Sequence, residues 1–134
     1  MSTTTATTTD TRRSLRGVLR LDAAASGALG VAAAAGAGVL DTLIGLSTPL
    51  LLGVGVFLVV YATGLVLLAG LRAIPRLLTW VVVLGNSAWV LMSLALVVGA
   101  WDQLTVLGVV VVIAQAAAVA VFADLQWTQG LRRR

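Results

Sequence analysis

The sequence predicts an all-α polytopic membrane protein, with four transmembrane helices in an antiparallel up-down bundle and both termini cytoplasmic. Three observations carry that reading. Four long apolar segments account for nearly everything from Leu21 to Trp127, and each approaches the about 20 residues needed to cross a hydrocarbon core. Apolar residues make up 60% of the 134 and charged residues only 10%, whereas soluble domains carry about 25% charge. A small soluble domain leaves too much of its chain in contact with water to hide that apolar surface. Finally, every basic residue is an arginine, and all fall on one side of the pattern. Arg12, Arg13, Arg16 and Arg20 precede the first segment, Arg72 and Arg76 separate the second from the third, and Arg132, Arg133 and Arg134 follow the fourth. The other two connections carry only Asp41 and Asp102. Short arginine-rich loops stay in the cytoplasm, so one rule orients every helix.

Residues 1–18 read as a basic cytoplasmic tail. Met1 to Thr11 is MSTTTATTTDT, a low-complexity polar run expected to be disordered because it has nothing to bury. Thr11 to Gly17 looks like a degenerate twin-arginine export signal, but the apolar run behind it is longer than a signal core and three more spans follow. A basic juxtamembrane segment is therefore expected. The membrane domain occupies 19–128. Its first span, about 21–40, is rich in Ala and Gly. The second, about 48–70, starts with Ser47 as a cap and Pro49 in the first turn, where a missing N–H costs nothing. Pro75 breaks the next connection, and the third span covers about 77–99. The fourth runs over about 104–127, and 129–134 forms a second basic tail. Trp80 and Trp127 fall at the inner boundary and Trp101 at the outer one, as in an aromatic belt. Leu52 to Val56 and Leu107 to Val111 open the second helix of each hairpin with similar residues, a faint echo of duplication.

Composition excludes much chemistry. With no Cys and no His, the usual zinc and copper ligand sets are missing, and no side chain titrates near neutrality without special tuning. No metal, cofactor or catalytic group is expected. The net charge of +4 resembles a nucleic-acid footprint, yet the arginines are explained by topology and by contact with anionic headgroups. The expected partners are the lipid bilayer and another membrane protein or a second copy of this chain, with no nucleic acid. Arg in place of every Lys, with abundant Ala, Val, Leu and Gly, points to a GC-rich bacterial genome and hence to the bacterial cytoplasmic (inner) membrane.

Four features stand out as candidate sites. Asp22, Ser26, Gly30, Ala34 and Gly38 recur every four residues on span one, a row of small side chains suited to close helix packing. Gly108, Val112, Ala116, Ala120 and Asp124 echo it on span four. Both rows end in a carboxylate near the inner boundary. Asp22 falls in a first turn, where the helix dipole favours it, and Asp124 in a last turn, where it does not. An arginine partner is therefore expected for Asp124, with Arg20, Arg72 and Arg76 as candidates. Deeper in the membrane, Tyr61, Asn86 and Gln115 all fall roughly 13–17 Å from the inner ends at about 1.5 Å per residue. They form a candidate polar cluster, able to act as interhelical glue or to line a small cavity. Trp89, also deep, is the candidate contact for a partner subunit.

The stretches LRLDAAASGALG (Leu19 to Gly30), GNSAWVLMSLAL (Gly85 to Leu96) and LGVVVVIAQAAAVAVFADLQ (Leu107 to Gln126) resemble a family of small bacterial four-span integral membrane proteins to which no activity is assigned. Asp22, Ser26, Gly27, Asn86, Trp89, Gln115 and Asp124 match the polar and small positions of its pattern. The resemblance implies the four-span topology and leaves function open. The leading expectation is a non-catalytic accessory or assembling subunit acting through helix faces. The alternative is a small oligomeric transporter or channel whose polar path is lined by Asp22, Asn86, Gln115 and Asp124.

Overall fold

The computed structural model describes residues 2–132, and side chains from Ser14 onward. Arg133 and Arg134, and the side chains of Arg12 and Arg13, lie outside the described residues. The elements are α1 (Ser2–Ala35), α2 (Ala37–Ile44), α3 (Thr48–Ala69), α4 (Arg76–Gly99), α5 (Val106–Trp127) and a π-helical turn, Thr128–Arg132. Four segments are long and apolar enough to cross a membrane: Ser14–Ala35, Thr48–Ala69, Arg76–Gly99 and Val106–Arg132. The chain is a multi-pass membrane protein, an up-down bundle whose apolar side chains face outward as much as inward. Val98, Val106 and Leu77 are among the most exposed residues, as expected where the solvent is hydrocarbon.

Local chemistry explains the boundaries. Ser47 Oγ accepts from the backbone N–H of Leu50, and Pro49 sits in the first turn of α3. Thr105 caps α5 by accepting from Gly108 N at 2.9 Å. At the end of the bundle away from the arginines, the turn after α2 docks on the turn before α5. Thr105 N donates to Ile44 O at 3.1 Å, and its hydroxyl donates to Leu43 O. Gly45 makes this possible. Its φ of +87° is left-handed, and a Cβ there would meet Gln103 O at 2.2 Å.

The first span differs from expectation at both ends. The segment read as a disordered tail is helical from Ser2, and Leu15 and Leu19 are buried against Leu65, Leu68, Ala69 and Ile74. These leucines supply the apolar stripe that carries α1 past the arginines. Arg16 does not end the helix either, because its guanidinium bends to backbone carbonyls, Nη1 to Ala69 O at 2.9 Å and Nη2 to Arg72 O at 2.7 Å. At the other end Gly36 interrupts the helix, and α2 resumes at once, with Leu40 N donating to Gly36 O at 2.8 Å. The C-terminal segment is likewise no free tail. Gly130 and Leu131 are buried in the π-helical turn, close to Thr79 and Leu15.

Packing follows two hairpins. α1 lies along α3, α4 lies along α5, and α5 with the π-turn bridges back to α1, whereas the backbones of α3 and α4 stay apart and meet through side chains. The α1–α3 crossing rests on glycine: a Cβ on Gly55 would meet Ala34 N and Gly30 O at 2.6 Å, and one on Gly30 would meet Gly55 O at 2.8 Å. Gly30 and Ala34 of the predicted row therefore face α3, and Ser26 is buried. Gly38 does not face α3, since a Cβ there meets nothing within 4 Å. A four-residue step overshoots one helical turn by about 40°, so a strict ladder winds around the helix instead of keeping to one face. The same drift carries the row on α5 out of the interior. Gly108, Val112 and Ala116 are buried, and Ala123 and Gln126 continue the stripe, while Ala120 and Asp124 are exposed.

Candidate functional site

Asp22 is the centre of the interior. It is completely buried, on α1, at a rise of about 9 Å beyond the Arg16 level at 1.5 Å per residue. Its Oδ1 accepts from Ser26 Oγ, one turn along the helix, at 3.0 Å. Its Oδ2 accepts from Asn86 Nδ2 of α4 at 2.8 Å and from Gln126 Nε2 of α5 at 2.6 Å. Asn86 Nδ2 donates as well to Gln126 Oε1 at 2.8 Å, and Asn86 Oδ1 accepts from Tyr61 Oη of α3 at 2.8 Å. One network thus ties together all four spans. Its donors to the carboxylate are neutral, and among the described residues no buried side-chain nitrogen or oxygen lacks a partner. A fully satisfied network in a low-dielectric interior fixes helix rotation and register.

The expected cluster of Tyr61, Asn86 and Gln115 is divided. Tyr61 and Asn86 bond as anticipated. Gln115 belongs to a second group nearer the opposite end, where its Oε1 accepts from Trp89 Nε1 at 2.9 Å and its Nε2 donates to Ser93 Oγ at 3.0 Å and to Val112 O at 2.9 Å. Gln126 takes the place foreseen for Gln115. Its place beside Trp127 at the expected boundary hides it in the sequence, because an amide there is ordinarily solvated. A signal was available, since Gln115 and Gln126 are eleven residues apart and so share one face of α5 to within about 20°.

No protein-family model, curated protein or solved structure matches the chain.

The two predicted boundary carboxylates have opposite fates. Asp22 is interior and lies well inside α1, not in a first turn. Asp124 is exposed, and among the described residues no arginine pairs with it; Arg16 is engaged with carbonyls. Asp124 borders a shallow depression between α4 and α5 together with Val83, Ser87, Ala120, Ala123 and Trp127. Trp89, the candidate contact for a partner subunit, is half-buried. Its ring stacks on Phe57 with centroids 5.8 Å apart and planes 8° from parallel, and Phe57 lies parallel to Tyr61 at 6.2 Å. These rings border a cavity of about 260 Å³ between α1, α3, α4 and α5. Among the described residues no group of His, Cys, Asp and Glu is placed to hold a metal ion.

Proposed function

We propose that this chain is a non-catalytic accessory subunit of the bacterial cytoplasmic membrane, with both termini in the cytoplasm, acting on a membrane-protein partner through helix faces. One observation carries the reading: Asp124 lies on an outward face of α5, beside the small side chains of Ala120, Ala123 and Ser87, with no cation of its own chain among the described residues to pair with it. Ionisable residues within membrane helices are costly against lipid and are satisfied by partners. Small neighbours allow a second helix to approach closely enough to supply one. The partner this face fits is a helix bearing an arginine, a lysine or a hydrogen-bond donor near the membrane boundary.

The geometry favours this over a transport path. Of the four residues expected to line such a path, Asp22 and Asn86 are bonded to each other, Gln115 serves a different group, and Asp124 faces outward. A photo-crosslinking residue at Ala120 of the full chain, in native membranes, tests the proposal. The expected result is a crosslink to a discrete membrane protein that is lost on Asp124→Asn. Crosslinks to lipid alone, or a protein adduct indifferent to Asp124→Asn, would overturn it. Ion flux in liposomes that depends on Asp124 would transfer support to the transporter.

A further inference from the structure

The aromatic cavity stands apart from the Asp124 face and is built to a definite specification. No charged side chain lines it. Its walls are apolar, with Phe57, Tyr61, Trp89 and Phe122 supplying aromatic surface. An apolar cavity of about 150 Å³ accommodates benzene, so about 260 Å³ has room for a two-ring molecule. The three parallel rings of Tyr61, Phe57 and Trp89 present flat faces, which favour offset stacking by another planar ring.

The polar groups at the cavity wall narrow the choice further. Their hydrogens are already committed. The Ser26 hydroxyl donates to Asp22, the Tyr61 hydroxyl to Asn86, and the Trp89 N–H to Gln115. Both hydrogens of the Asn86 amide go to Asp22 and Gln126, and both of the Gln115 amide go to Ser93 and Val112. What remains are lone pairs on Ser26 Oγ, Tyr61 Oη, Asn86 Oδ1 and Gln115 Oε1, since hydroxyl and amide oxygens accept more than one bond. A guest that only accepts hydrogen bonds finds no donor here, whereas a hydroxyl or N–H on the guest finds an acceptor. The way in lies on the α3–α4 side. There the two helices meet through side chains, Tyr61 on Asn86 and Phe57 on Trp89, and Phe57, 54% exposed, is the lining ring whose displacement would open the cavity to the bilayer.

We propose that the cavity between α1, α3, α4 and α5 binds a neutral one- or two-ring aromatic molecule bearing a hydroxyl or N–H donor, admitted from the bilayer between α3 and α4 past Phe57. The site does not involve Asp124 and stands whether or not that residue meets a partner subunit.

The test uses the full chain in phospholipid nanodiscs, with 1-naphthol and its methyl ether, 1-methoxynaphthalene, as probes and empty discs as the background for partitioning. Ligand-observed saturation-transfer NMR is expected to show saturable naphthol binding in loaded discs only. Naphthol should bind about fivefold more tightly than the ether, the worth of one net hydrogen bond. Gly85→Leu fills the cavity from a position where a Cβ meets nothing within 4 Å, and should abolish binding without moving the melting temperature. Equal affinity for the two probes, signals no larger than in empty discs, or full binding by a folded Gly85→Leu variant would each overturn the proposal. Should that variant fail to fold, the ratio of the two probes on the unaltered protein still decides.

Discussion

Asn86 Nδ2 lies 2.8 Å from Asp22 Oδ2 and 2.8 Å from Gln126 Oε1, so one amide of α4 spends both of its hydrogens on α1 and α5. The network is therefore sensitive to what remains when a partner is removed, more than to how many bonds it contains. Asp22→Leu removes the acceptor of Asn86, Gln126 and Ser26 in an apolar interior. The Ser26 hydroxyl can turn to a backbone carbonyl of its own helix, so the expected loss is about 2–4 kcal/mol for the two amide donors left unsatisfied. Asp22→Asn keeps one oxygen to face the two amides and turns its own NH₂ toward the Ser26 hydroxyl oxygen, so it should stay within about 1.5 kcal/mol of the parent. Reversible unfolding in mixed micelles, followed by circular dichroism, measures both. Equal losses would show that Asp22 serves packing alone.

How far this interior was legible in the sequence follows from what a residue count can supply. Counting along a helix gives depth, and depth brought Tyr61 and Asn86 to one level on α3 and α4. It gives neither the true start of a helix nor the direction in which a side chain points. Asp22 seemed to lie at a boundary because Arg16 and Arg20 read as the end of the hydrocarbon. The helix continues through them because Arg16 finds the carbonyls of Ala69 and Arg72 and because Leu15 and Leu19 are buried on the opposite hairpin arm. A ladder of four-residue steps does not give the azimuth of Asp124, since the steps accumulate about 160° between Gly108 and Asp124. Capping was the most local signal and the most readable: Ser47 and Pro49 begin α3 as their chemistry requires.

The α1–α3 crossing should tolerate almost nothing larger than hydrogen at Gly55. A methyl there meets the backbone of Ala34 and Gly30 at 2.6 Å, and neither can yield without moving a helix axis. Gly55→Ala is expected to cost about 1–3 kcal/mol, the range for overpacking a close contact. Gly53→Ala and Gly64→Ala, on open faces of the same helix, should be neutral or slightly stabilising because alanine is the better helix former. Thermal unfolding of the three variants in one detergent separates them. A uniform response would mean that the crossing does not depend on close backbone approach.

Arg16 acts through the shape of its guanidinium. The fork reaches Ala69 O and Arg72 O together, satisfying carbonyls at and beyond the C-terminus of α3 that have no helical partner. Arg16→Lys keeps the charge and loses the fork, so it should recover only part of what Arg16→Ala removes, about 1 kcal/mol for the alanine variant. Hydrogen exchange in the 70–75 turn gives a local readout, expected to rise most for Ala, less for Lys and least for the parent. Full protection in the lysine variant would reduce Arg16 to a topological charge.

The proposed orientation is argued from the arginines, so moving them should change it. If both termini lie in the cytoplasm as proposed, green fluorescent protein fused at either end should fluoresce and alkaline phosphatase should be inactive, because each reporter works on one side only. The connection between α3 and α4 carries Arg72 and Arg76, whereas the turns before α3 and α5 carry no cation. Replacing Arg72 and Arg76 by glutamine while introducing arginine at Thr42 and Gln103 reverses the bias of three connections at once. Retention of the charge pattern at the chain ends then sets the two halves in conflict, and mixed populations with active phosphatase at the C-terminus are expected. An orientation unchanged by the exchange would mean that the N-terminal arginines alone fix the topology, with the hairpin of α4 and α5 following α1 and α3 through the Asn86–Asp22 and Gln126–Asp22 bonds.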